Sequence, residues 1–186
     1  MPPCEKPFRV LFVGPTSAPW ESIAPEVDAD FARLARRGVE LSYRCTGAGP
    51  AEIRTDADAV DAAPFVVATI IGAASEGFDA VIVDCTADPG VSAARESVDI
   101  PVIGAGEAMR AAIAEAPRPV CELTGDDLRA MDDAALLDRA RGAATIAFGG
   151  TGFSHLVDVL VSAHPGVVVL DPLAVALDIC LAQISP

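Results

Sequence analysis

Cys85 is the residue in this sequence best placed to move a proton. It ends the apolar run Ala80-Val81-Ile82-Val83-Asp84 and is followed by Thr86 and by Asp88-Pro89-Gly90, residue types that favour a turn and a helix start. A thiolate at a strand end, just ahead of a helix N-terminus, is expected to be stabilised by the dipole and the free amides. An unperturbed thiol titrates near about 8.5, so a modest depression suits acid–base work at neutral pH. The other cysteines read differently. Cys121 falls inside an expected strand and Cys180 inside an expected helix, where thiols mostly serve as packing. Cys4 belongs to the N-terminal tail, and Cys45 ends a strand before Thr46 and Gly47, within reach of a pocket. Asp84 reads equally as a site carboxylate or as a strand-end cap.

The surroundings of Cys85 are echoed once. Asp79-Ala80-Val81-Ile82-Val83-Asp84-Cys85-Thr86 leads into a helix and then Ile100-Pro101-Val102-Ile103-Gly104. Ala144-Thr145-Ile146-Ala147-Phe148-Gly149-Gly150-Thr151 leads into a helix and then Pro165-Gly166-Val167-Val168-Val169. The step from Cys85 to Pro101 equals the step from Gly150 to Gly166, which suggests two equivalent half-sites, one with a thiol and one with a glycine. Glycine-rich turns such as Gly149-Gly150-Thr151-Gly152 also suit anion binding through backbone amides. His155, expected one turn into the following helix, is the candidate replacement acid on the glycine side.

Other chemistries lack material. Lys6 is the only lysine and lies near the N-terminus, which disfavours pyridoxal phosphate and its lysine Schiff base. His155 and His164 are the only histidines, too few for a histidine-rich zinc site or an ordinary Ser-His-Asp triad. No metal and no organic cofactor is therefore expected.

The elements that must position these residues alternate. Strands are expected at 8–13, 39–44, 79–84, 100–103, 118–123, 144–148 and 167–170. Helices are expected at 25–37, 60–76, 91–97, 107–116, 127–141, 152–163 and 173–184. That alternation predicts an α/β fold of mainly parallel sheets with covering helices, whose sites lie at the carboxyl ends of the strands. Of the 186 residues, 52% are hydrophobic, enough for a sizeable core. The net charge of −14 argues against nucleic acid and anionic membranes as partners. The apolar runs read as short strands, without a membrane span or secretory signal. Five cysteines without metal-type or disulfide-type spacing fit free thiols in a reducing, cytoplasmic setting.

Three segments resemble the aspartate/glutamate/hydantoin racemase superfamily, nearest to its hydantoin racemase branch. One is Gly47-Ala48-Gly49-Pro50-Ala51-Glu52-Ile53. The most specific is 77–90, with Asp84-Cys85-Thr86-Ala87-Asp88-Pro89-Gly90, continuing through Ala94-Arg95-Glu96, Ile100-Pro101-Val102-Ile103-Gly104 and Glu107-Ala108. The third is Ile146-Ala147-Phe148-Gly149-Gly150-Thr151-Gly152-Phe153, followed by Val169-Leu170-Asp171-Pro172. The resemblance implies two pseudo-equivalent lobes around a cleft and cofactor-independent proton transfer at a carbon beside a carboxylate or carbonyl. Residues 1–104 would form the first lobe, with helix 173–184 packing back on it, and 105–172 a shortened second lobe. Cys85 matches the first family cysteine, whereas the second falls on Gly150. The usual asparagine of the first strand-end loop falls on Gly14, while Pro15, Thr16 and Ser17 keep the loop. Structure that the family carries between Glu115 and Arg118 is missing.

A lone cysteine opposite a glycine also resembles the arylmalonate decarboxylase branch, with the two halves exchanged. There a carboxylate leaves and one thiol protonates the enediolate, whose oxygens are held by hydroxyls and amides. On that pattern Thr16, Ser17, Thr86, Gly150 and Thr151 would bind substrate. The expected partner is a small carboxylate or carbonyl compound, and a homo-oligomer is left open. Three readings stand: a racemase or isomerase, a decarboxylase or other lyase with one-sided protonation, and a non-catalytic relative that binds a small carboxylate.

Overall fold

A computed structural model describes residues 6–184, so Cys4 lies outside the described residues. The elements run β1 (Phe8–Gly14), α1 (Trp20–Leu34), β2 (Val39–Cys45), α2 (Asp56–Ser75), β3 (Ala80–Val83), α3 (Val91–Arg95), β4 (Val102–Gly104) and α4 (Ala105–Glu115). They continue as β5 (Val120–Thr124), α5 (Gly125–Ala130), α6 (Asp133–Arg139), β6 (Thr145–Gly149), α7 (Leu156–Ala163), β7 (Val168–Leu170) and α8 (Pro172–Ile184). All seven expected strands form, and every strand pair is parallel. The first sheet has the order β2-β1-β3-β4 and the second β5-β6-β7, so the second is one strand shorter.

Continuous apolar runs place β1 and β3 in the centre of the first sheet, buried on both faces. On one face Leu11, Val13, Val81 and Val83 meet Val66, Ile70 and Ala73 of α2. On the other, Val10, Phe12 and Ile82 meet Leu173, Ala176, Leu177 and Cys180 of α8. Ala105 and Ala108 join that same core. Helix α4 thus packs with the first sheet, whereas the sequence division opens the second lobe at residue 105. Around the second sheet, Leu123, Ile146 and Phe148 pack on Leu128, Leu136, Leu156 and Leu160.

Four helices differ from expectation, α1 by running Trp20–Leu34 rather than 25–37. The single helix expected at 127–141 is two, because Thr124 and Asp127 form a capping box on α5 and Asp132 caps α6 separately. Helix α7 begins at Leu156 rather than 152, which leaves 150–155 as a loop. Helix α2 is 20 residues long with a mean hydropathy of 1.5, by length and composition enough to cross a membrane. The expectation that every apolar run is a short strand fails there; one side of α2 covers the sheet and the other exposes Val60, Phe65 and Ile71.

Candidate functional site

The carboxyl ends of the two sheets open onto one cavity of about 350 Å³, at the small end of ligand pockets. Cys85, Thr86 and Ala87 line it from the first sheet, and Gly149, Gly150, Thr151 and Phe153 from the second. Thr124, Gly125, Asp126 and Arg129 border it at α5, and Ile53, Arg54, Thr55 and Asp56 at the start of α2. The Thr86 hydroxyl donates to the Gly149 carbonyl at 3.2 Å. The residue after Cys85 is therefore tied directly to the residue before Gly150.

The turn carrying Cys85 is held from behind. Asp88 has φ 52°, a left-handed value that Asp tolerates better than most residues. Its carboxylate accepts from the Gly106 amide at 2.7 Å and pairs with Arg110 at 2.8 Å. A Cβ on Gly106 would lie 2.0 Å from the Thr86 carbonyl oxygen, so only glycine lets α4 approach this turn. Asp88-Pro89-Gly90 is thus a built turn that fixes the thiol's direction.

The thiol's state differs from the sequence expectation. Helix α3 starts six residues after Cys85, at Val91, and is a single short turn, so no helix N-terminus supports a thiolate. Burial pushes the Cys85 thiol up to about 11, with a smaller push from Asp84 and Asp88, against a backbone N–H from Ala87. A thiol raised that far keeps its proton at neutral pH.

Across the cavity the glycine half-site holds no thiol. A Cβ on Gly150 would meet the Phe153 ring at 3.2 Å and Gly125 Cα at 3.4 Å, so a side chain there requires the ring to give way by a few tenths of an ångström. His155 is exposed, directly precedes α7 and is not among the lining residues. Thr16 and Ser17 also lie off the lining, in a loop tied to 46–50 through Thr46 to the Thr16 carbonyl and Ser17 to the Pro50 carbonyl. The structure thus gathers Cys85, Thr86, Gly150 and Thr151 around one cavity, and leaves Thr16, Ser17 and His155 outside it. Cys45 is likewise outside. Cys121 is half-buried on edge strand β5, packed against the core of the second sheet with its thiol 3.6 Å from the Arg139 carbonyl; Cys180 is fully buried. All four described cysteines are free.

Asp84, read from sequence as a site carboxylate or a strand-end cap, is not in the cavity lining and belongs to a buried acidic cluster; several other residues escaped the sequence reading. The Tyr43 hydroxyl donates to Asp84 Oδ2 at 2.9 Å, while Oδ1 is buried without a hydrogen-bond partner among the described residues. Burial raises its pKa, opposed by the Thr151 and Tyr43 hydroxyls. Asp30 of α1 is pushed up to about 7 by burial, with Ser154 opposing and Asp84, Asp171 and Glu26 adding repulsion. Ser154 donates to Asp171 at 2.5 Å. Arg54, Arg129 and Phe153 also line the cavity unforeseen. Nothing in the spacing of Arg54 and Arg129, 75 residues apart, signals that the two converge.

Two parallel-sheet lobes with facing strand ends around a thiol define a class: proteins of the racemase fold. Residues 21–128 match the family described as Asp/Glu/hydantoin racemase, and the chain belongs to that family. A stretch of 59 residues is 42% identical to a hydantoin racemase of Pseudomonas sp. (strain NS671), covering 32% of this chain and 24% of that protein's length. In structure the chain is similar to the allantoin racemase from Klebsiella pneumoniae, with TM-score 0.79 and 20% identity over 95% of this chain and 87% of the other. It is also similar to a double variant of arylmalonate decarboxylase in the liganded form, with TM-score 0.68 and 15% identity over 96% and 93%.

Proposed function

We propose that this protein is a cofactor-independent enzyme that delivers a proton from Cys85 to a carbon beside a carboxylate or carbonyl, from one face only. The observation that carries the reading is a single thiol, Cys85, in the interlobe cavity opposite a half-site that has Gly150 and Phe153 where a second thiol would stand, and burial favours the protonated form of that thiol. Two-base inversion requires an acid and a base on opposite faces of one carbon. A single donor serves two other outcomes: proton exchange with retention, or protonation of a carbanion made by loss of a group. In the second case the C–C bond to a carboxylate breaks, carbon dioxide leaves, and the electron pair passes into an enediolate. The thiol proton then goes to carbon, and solvent reprotonates the thiolate. The high thiol pKa favours this lyase-type outcome, because the thiol must still hold its proton when the enediolate forms. The amides of the glycine turn and the Thr151 hydroxyl are the donors for the enediolate oxygens, while the Thr86 hydroxyl, donated to the Gly149 carbonyl, holds that turn in place.

The test is proton NMR in deuterated water with a set of 2-substituted malonates and 2-substituted carboxylates. The wild type should decarboxylate a malonate or exchange a Cα proton. Cys85→Ser should lose about 10²–10⁴-fold of that rate while its melting temperature stays within a few degrees. Undiminished turnover in Cys85→Ser would remove the mechanism.

A further inference from the structure

The two oxygens of the Asp84 carboxyl have unlike surroundings. Oδ2 accepts from the Tyr43 hydroxyl at 2.9 Å, whereas Oδ1 is buried and has no hydrogen-bond partner among the described residues. An ionised carboxylate only accepts, and leaving one of its oxygens bare inside a protein is costly. A neutral carboxyl removes the mismatch: the oxygen facing Tyr43 is the carbonyl, and the bare oxygen carries the O–H. The neighbours favour that form. Glu26 and Asp30 of α1, Cys45 at the end of β2 and Asp171 ahead of α8 all face the same carboxyl. Among the described residues, none of these four carboxyls is in an ion pair. The Tyr43 contact is built in. Trp20 and Phe31 flank its ring at centroid separations of 6.1 and 6.3 Å. A Cβ on Gly14 would collide with its hydroxyl, so the glycine that ends β1 leaves the room through which Tyr43 reaches Asp84. From the second lobe, the Thr151 hydroxyl is set against the same carboxyl. Thr151 also lines the cavity beside Gly150. Its hydroxyl has a single hydrogen. Given to an Asp84 carboxylate, that hydrogen is lost to the cavity. If Asp84 is the donor instead, the hydroxyl keeps its hydrogen for a substrate oxygen.

We propose that Asp84 is a positioning residue for Thr151: its Oδ1 hydroxyl donates to Thr151 Oγ1, so that the Thr151 hydrogen turns into the cavity toward an enediolate oxygen. The inference rests on reading the cavity as the site of one-sided protonation, and it names the group that makes Thr151 a donor there. Tyr43, Asp84 and Thr151 then form a chain of hydrogen bonds that all point one way, from the first sheet to the glycine turn of the second. A neutral Asp84 withdraws its small push on the Cys85 thiol, but burial, the larger cause, remains.

Infrared spectroscopy tests this without turnover. At about pH 8 ordinary carboxyls are ionised, so a neutral-carboxyl band there reports a buried acid. The wild type should show a band that Asp84→Asn removes and Asp30→Asn leaves. In Thr151→Val that band should move to higher frequency, because the carboxyl loses its acceptor. In turnover, Thr151→Val should cost about 10²-fold in kcat, the effect of removing one oxyanion donor, and Asp84→Leu about tenfold. The double variant should be no slower than Thr151→Val alone, because Asp84 acts only through that hydroxyl. Asp84→Asn, whose amide donates to Thr151 and whose carbonyl accepts from Tyr43, should recover most of the turnover lost in Asp84→Leu. If Cys85→Ser keeps its turnover while Asp84→Leu and Thr151→Val remain coupled, the one-sided mechanism fails and the positioning role stands. The role is overturned if the wild type lacks the band, if the band survives Asp84→Asn or stays in place in Thr151→Val, if Asp84→Asn melts like the wild type yet is as slow as Asp84→Leu, or if the two kinetic losses add.

Discussion

At the scale of residues, the account turns on how one thiol is tuned. Cys85 sits between Asp84 and Asp88 in sequence, and both carboxylates oppose a thiolate beside them. The resulting value of about 11 follows from burial first and charge second. It has a direct chemical consequence, since the thiolate and not the thiol reacts with alkylating agents. Alkylation of Cys85 by iodoacetamide, read by peptide mass spectrometry, should rise about tenfold per pH unit from pH 7 to 9 without a plateau. A plateau below about pH 8.5 would mean a depressed thiol and a base rather than an acid. The sequence places Cys85 correctly at a strand end beside a turn, and pairs it with Gly150 through the repeated spacing. It could not reveal the thiol's state, because that depends on where α3 begins and on what covers the turn. Nor could it show that His155 falls outside the cavity: that follows from α7 starting at Leu156, after the Gly152 turn at φ 83°.

At the scale of elements, strands were the most legible. Runs such as Val10-Leu11-Phe12-Val13 and Ala80-Val81-Ile82-Val83 bury on both faces and leave little else for those residues to do. Helix ends were less so, because a cap outweighs periodicity: Asp132 splits α5 from α6 although apolar residues continue through both. The least legible feature was the contact of α1 with the far lobe. Asp30 looks like an ordinary surface acid in sequence, yet it is 4% exposed and faces Asp84, Asp171, Glu26 and Ser154. Its carboxyl rises on folding from an ordinary 3.8 to about 7. A raised folded-state value means the folded protein holds the proton more tightly. The stabilisation is complete below the unfolded value and is lost as pH climbs through 7. The melting temperature should accordingly fall between about pH 5 and pH 8. Asp30→Asn keeps the shape without the charge, so it should flatten that slope and raise the melting temperature at pH 8 by roughly several degrees. An Asp30→Asn profile parallel to the wild type would show that Asp30 is not the titrating group.

At the scale of the whole molecule, the family and the two facing sheets are shown, and the proposed reaction rests on what this chain has altered. One cavity lies between a strand end with a thiol and a strand end with a glycine, the two joined by the Thr86 to Gly149 hydrogen bond. Ion pairs from Arg129 to Glu52 and from Arg33 to Asp158 also cross between the sheets. Within this frame the shortened second sheet still presents its glycine turn to the cavity, so loss of a strand has not dismantled the site. Its glycine half-site lines the cavity without a thiol. The measurement that tests this most directly is turnover of a prochiral malonate, or of one enantiomer of a responsive carboxylate, in deuterated water, with product configuration and label read together. The account predicts deuterium at the reacting carbon in a single configuration, delivered from the Cys85 side and lost in Cys85→Ser. Both configurations, labelled at comparable rates by an enzyme that also carries His155→Ala, would contradict it, because a second acid would then be acting on the opposite face.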